Sequence, residues 1–172
     1  MSSAKLSPPF SPETRESLVK ALVTVAERSF FAFAEACDRP RFDELSQTAA
    51  AWIIATVRFE EAECEGVVSC TLPEELALEL FDAFTGRDPS GPMPEAESVF
   101  DLIGELANMV CGLWLTRLTS NHTFTLAKPS AQRVTARPAV PPPGGDWMLA
   151  TVNDQPIALD AWMQPVSAGA RV

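Results

Sequence analysis

The sequence predicts an α+β domain: an antiparallel sheet with two long helices packed on one face. Three observations lead there. Apolar residues recur with helical spacing over two long stretches, about residues 11–36 and 95–119. Elsewhere the period changes to alternation, over residues 50–72 and again through the last third. The chain has 172 residues at 47% apolar content, enough for one real core and short of what two independent domains need. Runs of strands with helices gathered on one face make a two-layer α+β structure.

Residues 1–10 are rich in Ser and Pro and are expected to form a flexible N-terminal segment. A single domain is expected over 11–165, followed by a C-terminal tail at 166–172. Ser11-Pro12-Glu13 is an N-cap with proline at the first helical position. The helix it opens is predicted to run to about Ala36, with Leu18, Leu22, Val25, Ser29 and Phe33 on its core face, and to end at Arg39-Pro40. Residues 50–72 then predict two adjacent antiparallel strands separated by the acidic turn Glu60 to Glu65. Pro73-Glu74-Glu75 opens an amphipathic helix with Leu76, Leu80, Phe81 and Phe84 inward, closed by Gly86. A loop rich in Pro, Gly, Ser and Asp leads to a second long helix from about Glu95 to Thr119. The last third predicts strands over 123–127, 132–136, 147–152 and 156–162, the final pair turning at Asn153-Asp154-Gln155. Pro138 to Asp146 is a solvated connection.

The second long helix carries the sharpest signal. At about 100° per residue, placing Asp101 at 0° puts Glu105 near 40° and Asn108 near 340°. Val99, Phe100, Leu102, Ile103, Leu106, Ala107, Val110, Leu113, Trp114 and Leu118 fall between roughly 100° and 260°, the broad arc of a core-facing helix. Two carboxyl groups and a carboxamide therefore share one outward stripe. Any solvated helix face could show these three residues, but here no Lys or Arg at i+4 relieves the carboxylates. Gly104 and Gly112 flank the stripe and cost roughly 1 kcal/mol each against Ala, a cost understandable if something must approach the backbone closely. Met109 and Leu115 border it as a possible apolar rim, although such residues more often touch a neighbouring element.

Composition excludes several classes. A formal charge of -10 and a pI near 4.5 argue against a nucleic-acid partner. No run approaches 18 uninterrupted apolar residues and the start carries no apolar block, so neither a membrane span nor a signal peptide is expected, and the chain reads as cytoplasmic. Cys37, Cys64, Cys70 and Cys111 have no C-x-x-C spacing and no nearby His, which predicts free thiols and no metal site. His122 is the single histidine and has no nucleophile turn to serve. The eight glycines are scattered, so no phosphate loop exists.

Read as it stands, Asp101-x-x-x-Glu105-x-x-Asn108-Met109-Val110-x-Gly112 resembles the signature of the CheC/CheX chemotaxis phosphatases, and more closely the CheX-like branch that carries it once. The resemblance extends to Gly66-Val-Val-Ser-Cys-Thr-Leu-Pro-Glu-Glu-Leu-Ala-Leu-Glu-Leu and to Thr85-Gly86, covering about residues 50–130. Two positions depart from the pattern: Leu113 stands where Asn is frequent, and Lys128-Pro129 lacks the following glycine.

The resemblance implies the same α+β fold and an enzyme that hydrolyses the phospho-aspartate of a CheY-like receiver domain by inserting the stripe into its active site. It implies Glu105 and Asn108 as the catalytic pair, with Asp101, Gly104, Met109 and Gly112 meeting the partner. Mg²⁺ would come with the receiver and no cofactor would be the chain's own. A homodimer joined through sheet edges is expected. The alternative is a non-catalytic adaptor of a chemotaxis or flagellar signalling assembly, since fold alone does not settle activity.

Overall fold

A computed structural model describes residues 10–118, 123–137 and 147–166. The expected segment ahead of Phe10, His122, the Pro138 to Asp146 connection and the tail beyond Val166 lie outside the described residues.

Helix α1 spans Pro12–Ser29, and the Ser11 hydroxyl accepts from the Thr14 N–H at 3.2 Å as predicted for its cap. The helix ends well short of Ala36, which corrects the sequence reading. Phe31 adopts φ 53°, and Ala34–Ala36 forms strand β1. The cause is tertiary. Asn153 Oδ1 accepts from the Phe33 N–H at 2.9 Å, the Phe33 carbonyl accepts from the Asn153 N–H at 2.8 Å, and β1 pairs with β6 (Met148–Val152). Local spacing cannot see a partner some 120 residues away. Phe33, expected in the core, is therefore exposed, whereas Phe30 is fully buried. Arg39-Pro40 starts helix α2 (Arg39–Leu45) instead of ending a run, because Asp38 caps it by accepting from the Arg41 N–H at 3.0 Å.

Strands β2 (Trp52–Glu60) and β3 (Cys64–Pro73) form the predicted hairpin, with Trp52 opposite Pro73 and Glu60 opposite Glu65. Strand β7 (Gln155–Pro165) pairs with β3 and with β6, giving an all-antiparallel order β1-β6-β7-β3-β2. The β6–β7 turn needs only Asn153 and Asp154, both at positive φ (48° and 61°), as a two-residue primed turn requires. Gln155, expected in the turn, already pairs with Val152.

Beyond β2 lie β4 (Thr125–Leu126) and β5 (Ser130–Val134), both antiparallel to it. Leu126 faces Phe59 and Ser130 faces Thr56, so residues 127–129 oppose only Val57 and Arg58. The two short strands are one edge strand interrupted by a bulge, which the alternating pattern in the sequence could not reveal.

Helix α3 (Glu74–Thr85) ends at Gly86 in the left-handed region, φ 70°. Leu76, Ala77 and Leu80 are buried; Phe84, predicted inward, is half exposed and its ring leans on Phe30 at 5.4 Å. Helix α4 (Ala96–Leu118) is the longest element. Side chains of α1, α3 and α4 form one core with Ala55, Val57 and Phe59 of β2 and Val68, Cys70 and Leu72 of β3, which places both long helices on one face as predicted. The opposite face has a small cluster of its own, Phe42 of α2 against Trp52 and Ala158. By length and composition α4 could cross a bilayer, but half of its apolar window is buried within the domain.

Candidate functional site

Helix α4 is pinned at its C-terminal half. The indole N–H of Trp114 donates to the Thr14 carbonyl at 3.2 Å, and its ring meets Phe10 and Phe59 edge-on at 5.6 and 6.3 Å. Val99, Leu102, Ile103, Leu106, Ala107 and Val110 are buried along the predicted arc. The buried side is wider than predicted, taking in Gly104, Cys111 and Leu115 as well. Leu115 accordingly packs inward and gives no rim.

What remains outside is the polar stripe. Asp101 and Glu105 are exposed and Asn108 is half-buried. Asn108 Nδ2 donates to Glu105 Oε2 at 3.4 Å, a long and weak bond that orients the carboxamide without engaging it fully. The Asn108 Oδ1 acceptor has no partner among the described residues, and Glu105 and Asp101 form no ion pair there. Met109 is half-buried at the edge of the core and borders this surface.

The flanking glycines have a reason the sequence reading missed. A Cβ on Gly104 would lie 3.3 Å from Pro129 Cβ, and one on Gly112 would lie 3.9 Å from Leu126 Cδ2. The edge strand of the chain itself approaches the helix there. Gly104 is buried, and the space left by its missing side chain holds Pro129. Gly112 remains half-exposed. Two glycines eight residues apart on one helix side were the signal for this approach.

Cys70 and Cys111 are buried free thiols, and burial pushes both up to about 12, so they stay protonated at neutral pH. Cys64 and Cys37 are half-buried and also raised by burial. Among the described residues no three His, Cys, Asp or Glu side chains are grouped to hold a metal ion. The stripe thus offers two carboxylates and a carboxamide, which supply acceptors and donors on one exposed face.

Residues 53–138, half of the chain, match the family model described as chemotaxis phosphatase CheX. The chain belongs to that family. Two crystal structures of CheX proteins share its fold: that of Vibrio vulnificus at a TM-score of 0.66 and 21% identity, and that of Desulfovibrio desulfuricans at 0.66 and 16%. Each alignment covers 88% of this chain and 99% of the other. A third, the complex of Borrelia burgdorferi CheX with CheY, BeF₃ and Mg²⁺, has a TM-score of 0.58 and 13% identity, covering 87% of this chain and 96% of that one. No curated protein sequence matches the chain.

Proposed function

We propose that the protein hydrolyses the phospho-aspartate of a CheY-like receiver domain, with the α4 stripe entering the receiver's active site. The observation that carries this reading is the outward, adjacent placement of Glu105 and Asn108 on a helix whose other sides are buried. Family membership and the CheX–CheY complex known for the Borrelia protein support it.

Phosphoryl transfer depends on positioning and charge neutralisation more than on covalent help. Asn108 cannot ionise, and its carboxamide both accepts and donates. It holds a water whose oxygen attacks phosphorus in line, while the bond from phosphorus to the aspartyl oxygen breaks. The products are inorganic phosphate and the free aspartate of the receiver. Glu105 pairs with a lysine of the receiver and fixes the dock. Asp101, one turn back, meets the rim, and Met109 and Gly112 border the contact. Mg²⁺ belongs to the receiver in this scheme. The chain acts in the cytoplasm and as a homodimer. Among the described residues β4 and β5 form one edge of the sheet and β1 the other, where a second copy could pair; β6 and β7, also in the last third, are interior.

The test is phosphate release from receivers of the same cell, charged with a small phosphodonor in Mg²⁺. Release accelerated by the wild-type protein is expected. A receiver that loses phosphate at its own rate whatever amount of the protein is added would contradict the proposal.

A further inference from the structure

We infer that the receiver's contact extends past the stripe along α4 to Arg117, whose guanidinium group takes a carboxylate of the receiver in the groove between α4 and α1. The inference rests on the receiver-phosphatase reading and adds a residue outside the signature.

Bonds to the neighbouring helix place the Arg117 side chain. Its Nη2 donates to the Thr24 hydroxyl of α1 at 3.0 Å, and that hydroxyl in turn donates to the Lys20 carbonyl at 2.8 Å. The guanidinium thus leans across to α1, beside a hollow of about 570 Å³ that it lines with Glu13, Glu16, Lys20, Val23 and Thr24. Both helices cover the same face of the sheet, and Glu13, Glu16, Lys20 and Arg117 are all exposed, so the hollow opens away from the sheet. The stripe faces that way too, since Asp101 and Glu105 are exposed while the sheet-facing side of α4 is buried.

The pairing of Arg117 sets it apart. Arg39, Arg41, Arg87, Arg133 and Arg137 each meet an Asp or Glu of the chain. Arg117 meets the neutral Thr24 hydroxyl and no carboxylate among the described residues. The acids of the hollow are engaged elsewhere: Glu16 pairs with Lys20 at 2.7 Å, and Glu13 accepts from the Ser11 hydroxyl at 3.4 Å. A guanidinium has five N–H donors in a planar fork, and one bond to a hydroxyl holds the fork in place while leaving the others for a carboxylate.

Position along the helix connects this group to the stripe. In chain order α4 presents the acids Asp101 and Glu105, the carboxamide of Asn108, the half-buried Met109 and Leu113, and then Arg117. That order gives the surface a direction. A receiver whose lysine and Mg²⁺ lie over the acidic end meets a cation at the other end, and a reversed dock brings like charges together. Arg117 is nine residues beyond Asn108, about 14 Å along the axis. An interface of about 800 Å² per partner spans about 30 Å, so a contact centred on Asn108 reaches Arg117. The phosphoryl group sits at Asn108 in the proposed function, two and a half turns back, so the anion that meets Arg117 is one of the receiver's own carboxylates.

The experiment compares wild type with Arg117→Ala, Arg117→Glu and Arg117→Lys. It measures KM and kcat for dephosphorylation, affinity for the receiver with and without phosphate, and thermal unfolding, because a cation in the last turn of α4 also suits the helix dipole. The Ala variant is expected to raise KM about fivefold and the Glu variant about tenfold or more, with Lys between Ala and wild type and kcat within about twofold. Affinity should fall equally for both receiver forms, and the differences should shrink in high salt. KM unchanged in the Glu variant, affinity lost for the phosphorylated form alone, or a rise in KM confined to variants that have unfolded overturns the role of Arg117 while leaving the phosphatase reading intact. A wild-type protein that neither binds nor dephosphorylates any receiver overturns the phosphatase reading itself.

Discussion

Glu105 is exposed and makes a single weak bond, to Asn108, so the domain draws little stability from it. Glu105→Ala should change unfolding free energy by less than about 0.5 kcal/mol, read by thermal or urea denaturation, while weakening binding to a phosphorylated receiver. A large fall in stability would mean that the carboxylate is structural. Gly66 is the opposite case. It faces Phe59 across the hairpin, and a Cβ there would overlap the Phe59 ring and the Trp162 carbonyl. Gly66→Ala should destabilise by about 1–3 kcal/mol, since neither a packed ring nor a paired backbone can withdraw freely. A melting temperature equal to wild type would contradict that packing. Asp101, Glu105 and Asn108 were legible in the sequence because a helix period and an unrelieved pair of carboxylates are local facts. The place of Pro129 against Gly104 was not, because it is made by a strand some 20 residues farther along the chain.

Among the elements, α4 and the bulged edge strand form one unit. Gly112→Ala meets only an ordinary contact with Leu126, so helix propensity should raise stability by up to about 1 kcal/mol. A methyl group on the docking side should at the same time reduce receiver affinity; a variant both more stable and equally tight would remove Gly112 from the interface. Strand β5 is tied to α3 by the Arg133–Glu74 pair, and the Arg133 bonds hold the Glu74 carboxyl below its ordinary value. A lowered folded pKa gives stability that is present above the unfolded value of 4.5 and lost as pH falls through the folded one. Wild type should be more stable than Arg133→Gln at neutral pH by denaturation, and the difference should close below pH 4.5. A gap that persists in acid would show that Arg133 acts by packing. The early end of α1 was hidden for a reason visible at this scale: helical spacing runs on past Ser29, while the strand pairing that stops it depends on Asn153.

For the whole molecule, the layer arrangement was readable because two helical periods and a set of alternating strands leave few ways to cover one sheet. Strand order, the bulge and the short helix on the far face were not, since each depends on pairings between distant segments. The acidic total of -10 neither selects nor excludes an acidic receiver, so recognition falls to the stripe and its margin. The proposed function requires a rigid helix that presents Asn108 to complete another protein's reaction centre. The most direct measurement is the first-order loss of phosphate from a receiver saturated with wild-type protein or with Asn108→Ala, alongside the affinity of each for the phosphorylated receiver. Asn108→Ala is expected to fold and bind like the wild type yet leave phosphate loss at the receiver's own rate. Equal rates of loss with wild type and variant would contradict it.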